Sequence, residues 1–256
     1  MALDPVTAHF DSVAADYDEV LPFFSSFARR FIDVVPLPAG ARVLDVGAGR
    51  GAITALALAN GCAVTAVDSA PRMIELLRRD HPDVHAHVME AGRLDLPDES
   101  FDVVVAGFVI HVVPDMAAAV REVMRVLTPG GLFAFSLPGR ADGQPEPRAD
   151  PANELVKEYR RFHPDGSGRH GNDDDEEQVV PECGFEDLTA TTVEVAIPVA
   201  DGDTYWRWMA SHGAGTFIKG LPPGKRSELH ARLIDVVGAG TTLHRSATVW
   251  QARKPV

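Results

Sequence analysis

Asp45 ends a short apolar run and is followed at once by Gly47, Gly49 and Gly51, in the stretch RVLDVGAGRGAIT from Arg42 to Thr54. Glycines at this spacing let the backbone take positive φ and bring its N–H groups close to a ligand. A helix beginning near Gly51 would add the partial positive charge of its N-terminus. Two kinds of ligand suit such a loop. A dinucleotide wants its pyrophosphate over GxGxxG, with an acid about 20 residues further on for the ribose. Here the spacing is GxGxG, and Asp45 stands directly before the loop, where a carboxylate repels a pyrophosphate and suits an ammonium group. A second apolar run, CAVTAVD, ends in Asp68, which can accept from both hydroxyls of a ribose. The residues ask for a ligand with a ribose and a cationic end. S-adenosylmethionine (SAM) has both.

The elements that must hold these residues follow a regular alternation. Residues 1–40 read as helical, with AHFDSVAADYDEV and PFFSSFARRFIDVV placing apolar groups at helical intervals. RVLDVG is a strand, GAITALALANG a helix closed by Gly61, CAVTAVD a strand, and SAPRMIELLRRDHP a helix that Ser69 can cap. DVHAHVME reads as a strand, and FDVVVAGFVIHVV holds another, apolar enough for a sheet covered on both faces. DMAAAVREVMRVL is an amphipathic helix, TPGG a turn and LFAFSLP a strand. This rhythm through residue 138 predicts an α/β protein with an open, doubly wound, mostly parallel sheet. After the Pro/Gly/Asp-rich PGRADGQPEPRADP come a helix (ANELVKEYRRF), a glycine-rich loop running into an acid-rich helix start (HPDGSGRHGNDDDEEQVV) and a strand (FEDLTATTVEVAIPV). An aromatic stretch near 200–224, a helix (KRSELHARLIDVV) and a last strand (TTLHRSATVWQARK) complete the chain.

Several ordered segments resemble one family, the class I SAM-dependent methyltransferases, and within it the small-molecule branch that includes the ubiquinone and menaquinone biosynthesis enzymes. ADYDEV resembles an N-terminal Tyr-Asp element, VLDVGAGRG the first motif and VDSAPRMIELLRR the second. EAGRLDLPDESFDVVVAGFVIHVVPDMAAAVREVMRVLTPGGLFAFS matches a long collinear stretch, so the likeness covers roughly residues 10–138. The resemblance implies a seven-stranded Rossmann-like sheet in one domain: a helical lid over 1–40, a SAM-binding core over 41–138, and a C-terminal part, 139–256, carrying a substrate cap near 200–224. It implies SAM as cofactor, with S-adenosylhomocysteine as product. Gly47 and Gly49 would pack against the methionine part, Asp45 would hold the ammonium, and Asp68 the ribose. Ser69 and Met73 would border the adenine. Glu90 stands where the family has an aspartate that accepts from the adenine amine, and Ala91 would offer its N–H there. Ala106 and Gly107 would lie near the transferred methyl, and Tyr17 would close over the cofactor.

The acceptor side is read from the residues. Methyl transfer from a sulfonium is an in-line displacement that needs alignment and exclusion of water. His111, in FVIHVV at the end of the fourth-strand segment, is a candidate base or orienter; its bland alternative is a histidine bonded to backbone or lining the cofactor. His212, in WMASHGAG, is the second candidate, against a surface-loop histidine. His163 and His170 could belong to a mobile lid. Phe23, Phe24, Trp206, Trp208 and Phe217 suit the wall of a site for a planar or greasy small molecule, or else simply join the cap to the sheet. The acids Asp173 to Glu177 complement a helix N-terminus. The histidines of that loop lack metal-ligand spacing, so no metal is expected.

Acids outnumber bases 37 to 24, giving a formal net charge of −13. Such a surface repels phosphate backbones and anionic membranes, so the expected partner is a small-molecule substrate and not nucleic acid or lipid. A homodimer through the N-terminal helices stays open. The N-terminus does not read as a secretory signal, no stretch is long enough for a membrane helix, and Cys62 and Cys183 have no CxxC partner. These features predict a cytoplasmic enzyme. The Ala/Arg/Val/Asp-rich, lysine-poor composition suggests a bacterial, specialised-metabolite setting. The alternatives are an enzyme of this fold that does not transfer methyl, a cyclase or decarboxylase, and an NAD-dependent oxidoreductase. GxGxG and Asp45 count against the latter.

Overall fold

A computed structural model of the chain describes residues 3–141, 143, 148, 150–163 and 175–256. In chain order the elements are α1 (Pro5–Val13), α2 (Phe23–Val34), β1 (Arg42–Val46), α3 (Ala52–Ala59), β2 (Ala63–Asp68), α4 (Pro71–Asp80), β3 (His85–Val88), β4 (Phe101–Gly107), α5 (Met116–Val126) and β5 (Leu127–Pro138). Then follow α6 (Pro151–Tyr159), α7 (Glu176–Glu182), β6 (Glu186–Val199), α8 (Gly202–Ala210), α9 (Ala214–Gly220), α10 (Pro223–Val237) and β7 (Thr241–Arg253).

Among the described residues, seven strands form one sheet in the order β3-β2-β1-β4-β5-β7-β6. β1 to β5 run parallel, and β7 lies antiparallel between β5 and β6. The central strands are covered on both faces, which explains their unbroken apolar runs. Alternation along each strand divides the core. Val43, Val105 and Ala134 face α2, α3 and the cap residues Trp208 and Leu229. Leu44, Val104 and Phe133 face Val120 and Val123 of α5 and Val180 of α7. The strand order reverses between β1 and β4, and in open α/β sheets ligands sit beyond the strand ends at such a point. The doubly wound sheet is therefore as the sequence predicts.

Some local readings change. α1 stops at Val13, and Asp18, with φ 63°, turns the chain so that its carboxylate accepts from the N–H groups of Phe24 (2.6 Å) and Ser25 (2.9 Å) at the start of α2. The TPGG turn is absorbed into β5: Gly130 takes φ 74° and the register against β4 slips there, so the turn chemistry makes an irregularity and not a break. Ser69 does not cap α4. Its hydroxyl pairs with that of Thr7 at 2.9 Å, and Asp68 accepts from the N–H of Ala70 instead. The segment near 200–224 folds as α8, α9 and the start of α10. Residues 142, 144–147, 149 and 164–174 lie outside the described residues, and with them His170 and the acids Asp173 and Asp174.

Candidate functional site

The glycine loop leaves β1 and enters α3 with Gly47, Gly49 and Gly51 at φ 65°, 54° and 89°. No other residue type takes three such steps cheaply. Gly49 donates its N–H to Asp68 Oδ2 at 2.9 Å, while Asp68 Oδ1 accepts from Ala70 N–H at 2.8 Å. One carboxylate at the end of β2 thus holds both the glycine loop and the first turn of α4. Each of its oxygens has a second lone pair left. Burial pushes the Asp68 carboxyl up from the ordinary aspartate range.

Asp45 has a different environment from the one its position suggested. It is 2% exposed, and its Oδ2 accepts from the N–H (3.0 Å) and the hydroxyl (2.7 Å) of Thr54 in α3. Part of its bonding capacity is therefore spent on tying α3 to β1. Burial pushes its carboxyl up to about 7, and the like charge of Asp68 adds to that.

Three cavities meet above the strand ends. The first, about 280 Å³, is bordered by Asp45, Gly47, Gly49, Ile53 and Phe24. The second, about 420 Å³, is lined by Gly47, Gly49, Asp68, Ser69, Met73 and Glu90, with Ala91 and Gly107 completing it. The third, about 380 Å³, is lined by His9, Phe23, His111, Trp208, His212 and Phe217. Tyr17 and Phe108 line all three. The Tyr17 ring stacks on Phe24 with centroids 4.3 Å apart, and burial among these rings raises its hydroxyl well above the ordinary phenol range.

The structure thus brings Tyr17, Gly47, Gly49, Asp68, Ser69, Met73, Glu90, Ala91 and Gly107 to one cavity and the two candidate histidines to its neighbour. It separates Ala106 from both. That side chain is fully buried in the apolar cluster on the opposite face of the sheet, because β4 alternates and Gly107 takes the cavity side. His111 lies four residues beyond the end of β4, in the loop and not on the strand. Trp206 is turned away from the cavity and stacks on His230 at 4.7 Å, whereas Phe23, Phe24, Trp208 and Phe217 do form the wall. His163 packs against Phe217 from behind, at 5.9 Å.

His212 is held on two sides. Its Nδ1–H donates to the Trp208 carbonyl at 2.6 Å, and its ring stacks on Trp208 at 4.5 Å. Burial pushes its pKa down to about 4, so it is neutral at neutral pH and too weakly basic to be a strong proton acceptor. Its geometry suits accepting a hydrogen bond and orienting a ligand. Sequence reading missed two residues here. Phe108, with φ 58° immediately after β4, stands where the three cavities join, and a positive φ on a phenylalanine leaves no signature in sequence. His9 lines the third cavity from α1, and helical spacing alone could not tell what that face meets. Among the described residues, no three His, Cys, Asp or Glu side chains converge as a metal site, and no helix is long and apolar enough to cross a membrane.

Comparison with known proteins agrees with this architecture. Residues 44–135 match the family described as a methyltransferase domain. Aklanonic acid methyltransferase DauC from Streptomyces sp. (strain C5) is 34% identical over 143 residues, covering 52% of this chain and 64% of that protein. A demethylmenaquinone methyltransferase from Tropheryma whipplei is 35% identical over 141 residues, covering 51% of this chain and 59% of that protein. The chain therefore spans less than two thirds of the length of these relatives. YcgJ from Bacillus subtilis superposes with a TM-score of 0.59 at 22% identity, over 90% of this chain and 98% of that one. The [4+2]-cyclase SpnF superposes with 0.55 at 20% identity, over 91% and 81%. The two structural likenesses speak to fold alone. Residues 44–135 thus match a methyltransferase domain, and the sheet order and the ordered motifs around them agree with the class I SAM-dependent family that they resemble.

Proposed function

We propose that the protein transfers a methyl group from SAM to a small-molecule acceptor, a bacterial specialised metabolite. The observation that carries this reading is the junction of two unlike cavities at Tyr17 and Phe108: one lined by glycines and acids, the other by aromatic rings and histidines. The residues fit the cofactor. Asp68 keeps free lone pairs for the ribose hydroxyls, and Met73 and Ala91 offer an apolar border for the adenine beside Glu90. Gly49 leaves a gap that any side chain would fill, since a Cβ there would stand 3.6 Å from the Tyr17 ring.

The chemistry SAM supplies is a methyl group on a cationic sulfur, open to in-line displacement. The chain's own part is positioning. Asp45 and Asp68 provide negative charge in a dry site, where it acts more strongly than in water. Tyr17, Phe24 and Phe108 exclude water from the junction. His111 and His212 orient the acceptor. The aklanonic acid and demethylmenaquinone methyltransferases among the relatives support an aromatic or greasy acceptor, and the apolar wall of the third cavity supports it independently. S-adenosylhomocysteine formation in the presence of candidate acceptors tests the reading, and acceptor conversion without it would instead favour the non-methylating alternative. Replacing His111 by Ala should leave SAM affinity intact while slowing turnover at least severalfold; equal rates would remove His111 from the acceptor site.

Asp45 gives a pH test. Its carboxyl holds its proton up to about pH 7 in the folded chain, against 3.8 for an ordinary aspartate. Between those values the folded chain binds more protons than the unfolded one, so stability of the ligand-free protein falls as pH rises through that window. A cation bound beside Asp45 favours the charged form and expels the proton. SAM affinity should therefore rise as pH rises toward 7, with release of a proton detectable as calorimetric heats that differ between buffers of unlike ionisation enthalpy. Asp45→Asn should flatten that dependence; an unchanged slope would show that the proton comes from elsewhere.

A further inference from the structure

We infer that His9 and His212 together form a two-point hydrogen-bond acceptor in the aromatic cavity, and that they select an acceptor molecule by its hydroxyl or N–H donors. This inference rests on the reading of that cavity as the acceptor site. It adds a residue, His9, that neither motif nor family match assigns.

The argument starts from tautomers. A carbonyl oxygen only accepts, so a ring nitrogen bonded to one must carry the proton. His9 Nε2–H donates to the carbonyl of His212 at 2.8 Å, which leaves His9 Nδ1 bare. His212 Nδ1–H donates to the carbonyl of Trp208 at 2.6 Å, which leaves His212 Nε2 bare. Both rings line the third cavity. The His9 side chain is 6% exposed, and its Nδ1 is buried without a hydrogen-bond partner among the described residues. A buried acceptor without a donor is destabilising unless something else supplies the proton.

Protonation is not the escape. Burial pushes both imidazoles below the ordinary histidine range, and Lys219 lowers His9 further while Arg245 and His9 lower His212. Both rings therefore stay neutral at neutral pH. Two cations border the cavity: Arg245, engaged by Asp150 and Tyr205, and Arg160 just beyond α6. On the side of α1 and the α8–α9 turn the cavity presents lone pairs, inside walls of Phe23, Phe27, Phe108 and Trp208. Such a site suits a flat ring carrying phenolic hydroxyls or ring N–H groups. It disfavours the same ring with those positions capped, because the capped form leaves the acceptors unpaired.

Gly215 keeps the pair in register. A Cβ there would stand 2.8 Å from His9 Cε1 and 2.6 Å from the Ala210 carbonyl oxygen, so α1 can reach the α8–α9 turn only over a glycine. α1 and the α8–α9 turn thus meet through His9, at its hydrogen bond to the His212 carbonyl and its contact with Gly215.

The test uses a naphthol with two donors, 2,3-dihydroxynaphthalene, and the ether left when one of its hydroxyls is methylated, titrated into the full chain by tryptophan fluorescence, with and without S-adenosylhomocysteine. The parent protein should bind the naphthol about tenfold more tightly than the ether, the discrimination that one well-made hydrogen bond provides. His9→Leu should bring the two probes to near parity, and His9→Gln, which keeps an acceptor and a donor, should restore part of the difference. Affinity for S-adenosylhomocysteine should stay the same in both variants, which verifies that they fold. Equal binding of naphthol and ether by the parent, binding of neither, or undiminished discrimination in His9→Leu would each overturn the inference. Absence of S-adenosylhomocysteine binding would count against the methyl-transfer reading alone, since probe discrimination is read independently of it.

Discussion

Asp68→Ala should lower SAM affinity by at least an order of magnitude. Two separate causes add. The proposed ribose contact is a charge-assisted pair of hydrogen bonds, worth about 1.5–3 kcal/mol. The same carboxylate also accepts from Gly49 N–H and Ala70 N–H, so its removal frees the glycine loop and the residue that leads into α4 before any ligand arrives. The loop then has to be ordered at the expense of binding. Asp68→Asn separates the two causes. It retains one acceptor oxygen for a backbone N–H but removes the charge. An Asn variant close to Ala in affinity would assign the loss to charge, and one close to the parent would assign it to loop order. Calorimetric titration with SAM reads both, and an Ala variant that binds as the parent does would remove Asp68 from the cofactor site. The Asn variant has a second readout. Asp68 is a like charge that helps hold the Asp45 carboxyl up. Without it, the pH dependence of SAM affinity should shift toward lower pH.

The backbone plan was legible because it depends on local signals. Apolar runs ending in Asp45 and Asp68, a helix closed by Gly61, and the switch from short runs to 3.6-residue spacing each follow from a few neighbouring residues. That Gly47, Gly49, Asp68, Ser69 and Met73 line one cavity was legible for the same reason: they sit at fixed offsets from strand ends, and a parallel sheet carries all strand ends to one edge. What escaped depends on contacts between distant segments. Whether Asp45 faces a ligand or Thr54 is decided by how α3 returns over β1. Ala106 and Gly107 differ by one residue, and a single step along a strand turns a side chain to the other face. His9 and His212 lie at opposite ends of the chain, so no spacing could pair them. The aromatic cavity is built almost wholly from such pairings, with α1, α2 and the α8–α9 turn meeting beside Phe108.

Gly47→Ala should be the most damaging small substitution in the loop, and its partner shows why. At φ 65° an alanine is strained by about 1–2 kcal/mol. Its Cβ would also stand 2.2 Å from Val109 Cγ2 and 2.8 Å from Cγ1, an overlap of the kind that costs about 1–3 kcal/mol in a packed interior. The sum, about 2–5 kcal/mol, corresponds to a fall in Tm of roughly 5–15 °C for a chain of this size. Val109 cannot simply step aside, because it follows Phe108 in the loop after β4 and lines the second cavity itself. Pushing it away moves one wall of the cofactor cavity, so SAM affinity should fall together with Tm. Val109→Ala in the Gly47→Ala background removes both Cγ atoms and should recover the packing part of the loss but not the backbone part. The double variant should therefore melt between Gly47→Ala and the parent. Full recovery would mean that the left-handed conformation at Gly47 matters little. No recovery would mean that the loop between β1 and α3 is governed by its backbone alone and does not lean on the β4 loop across the switch point.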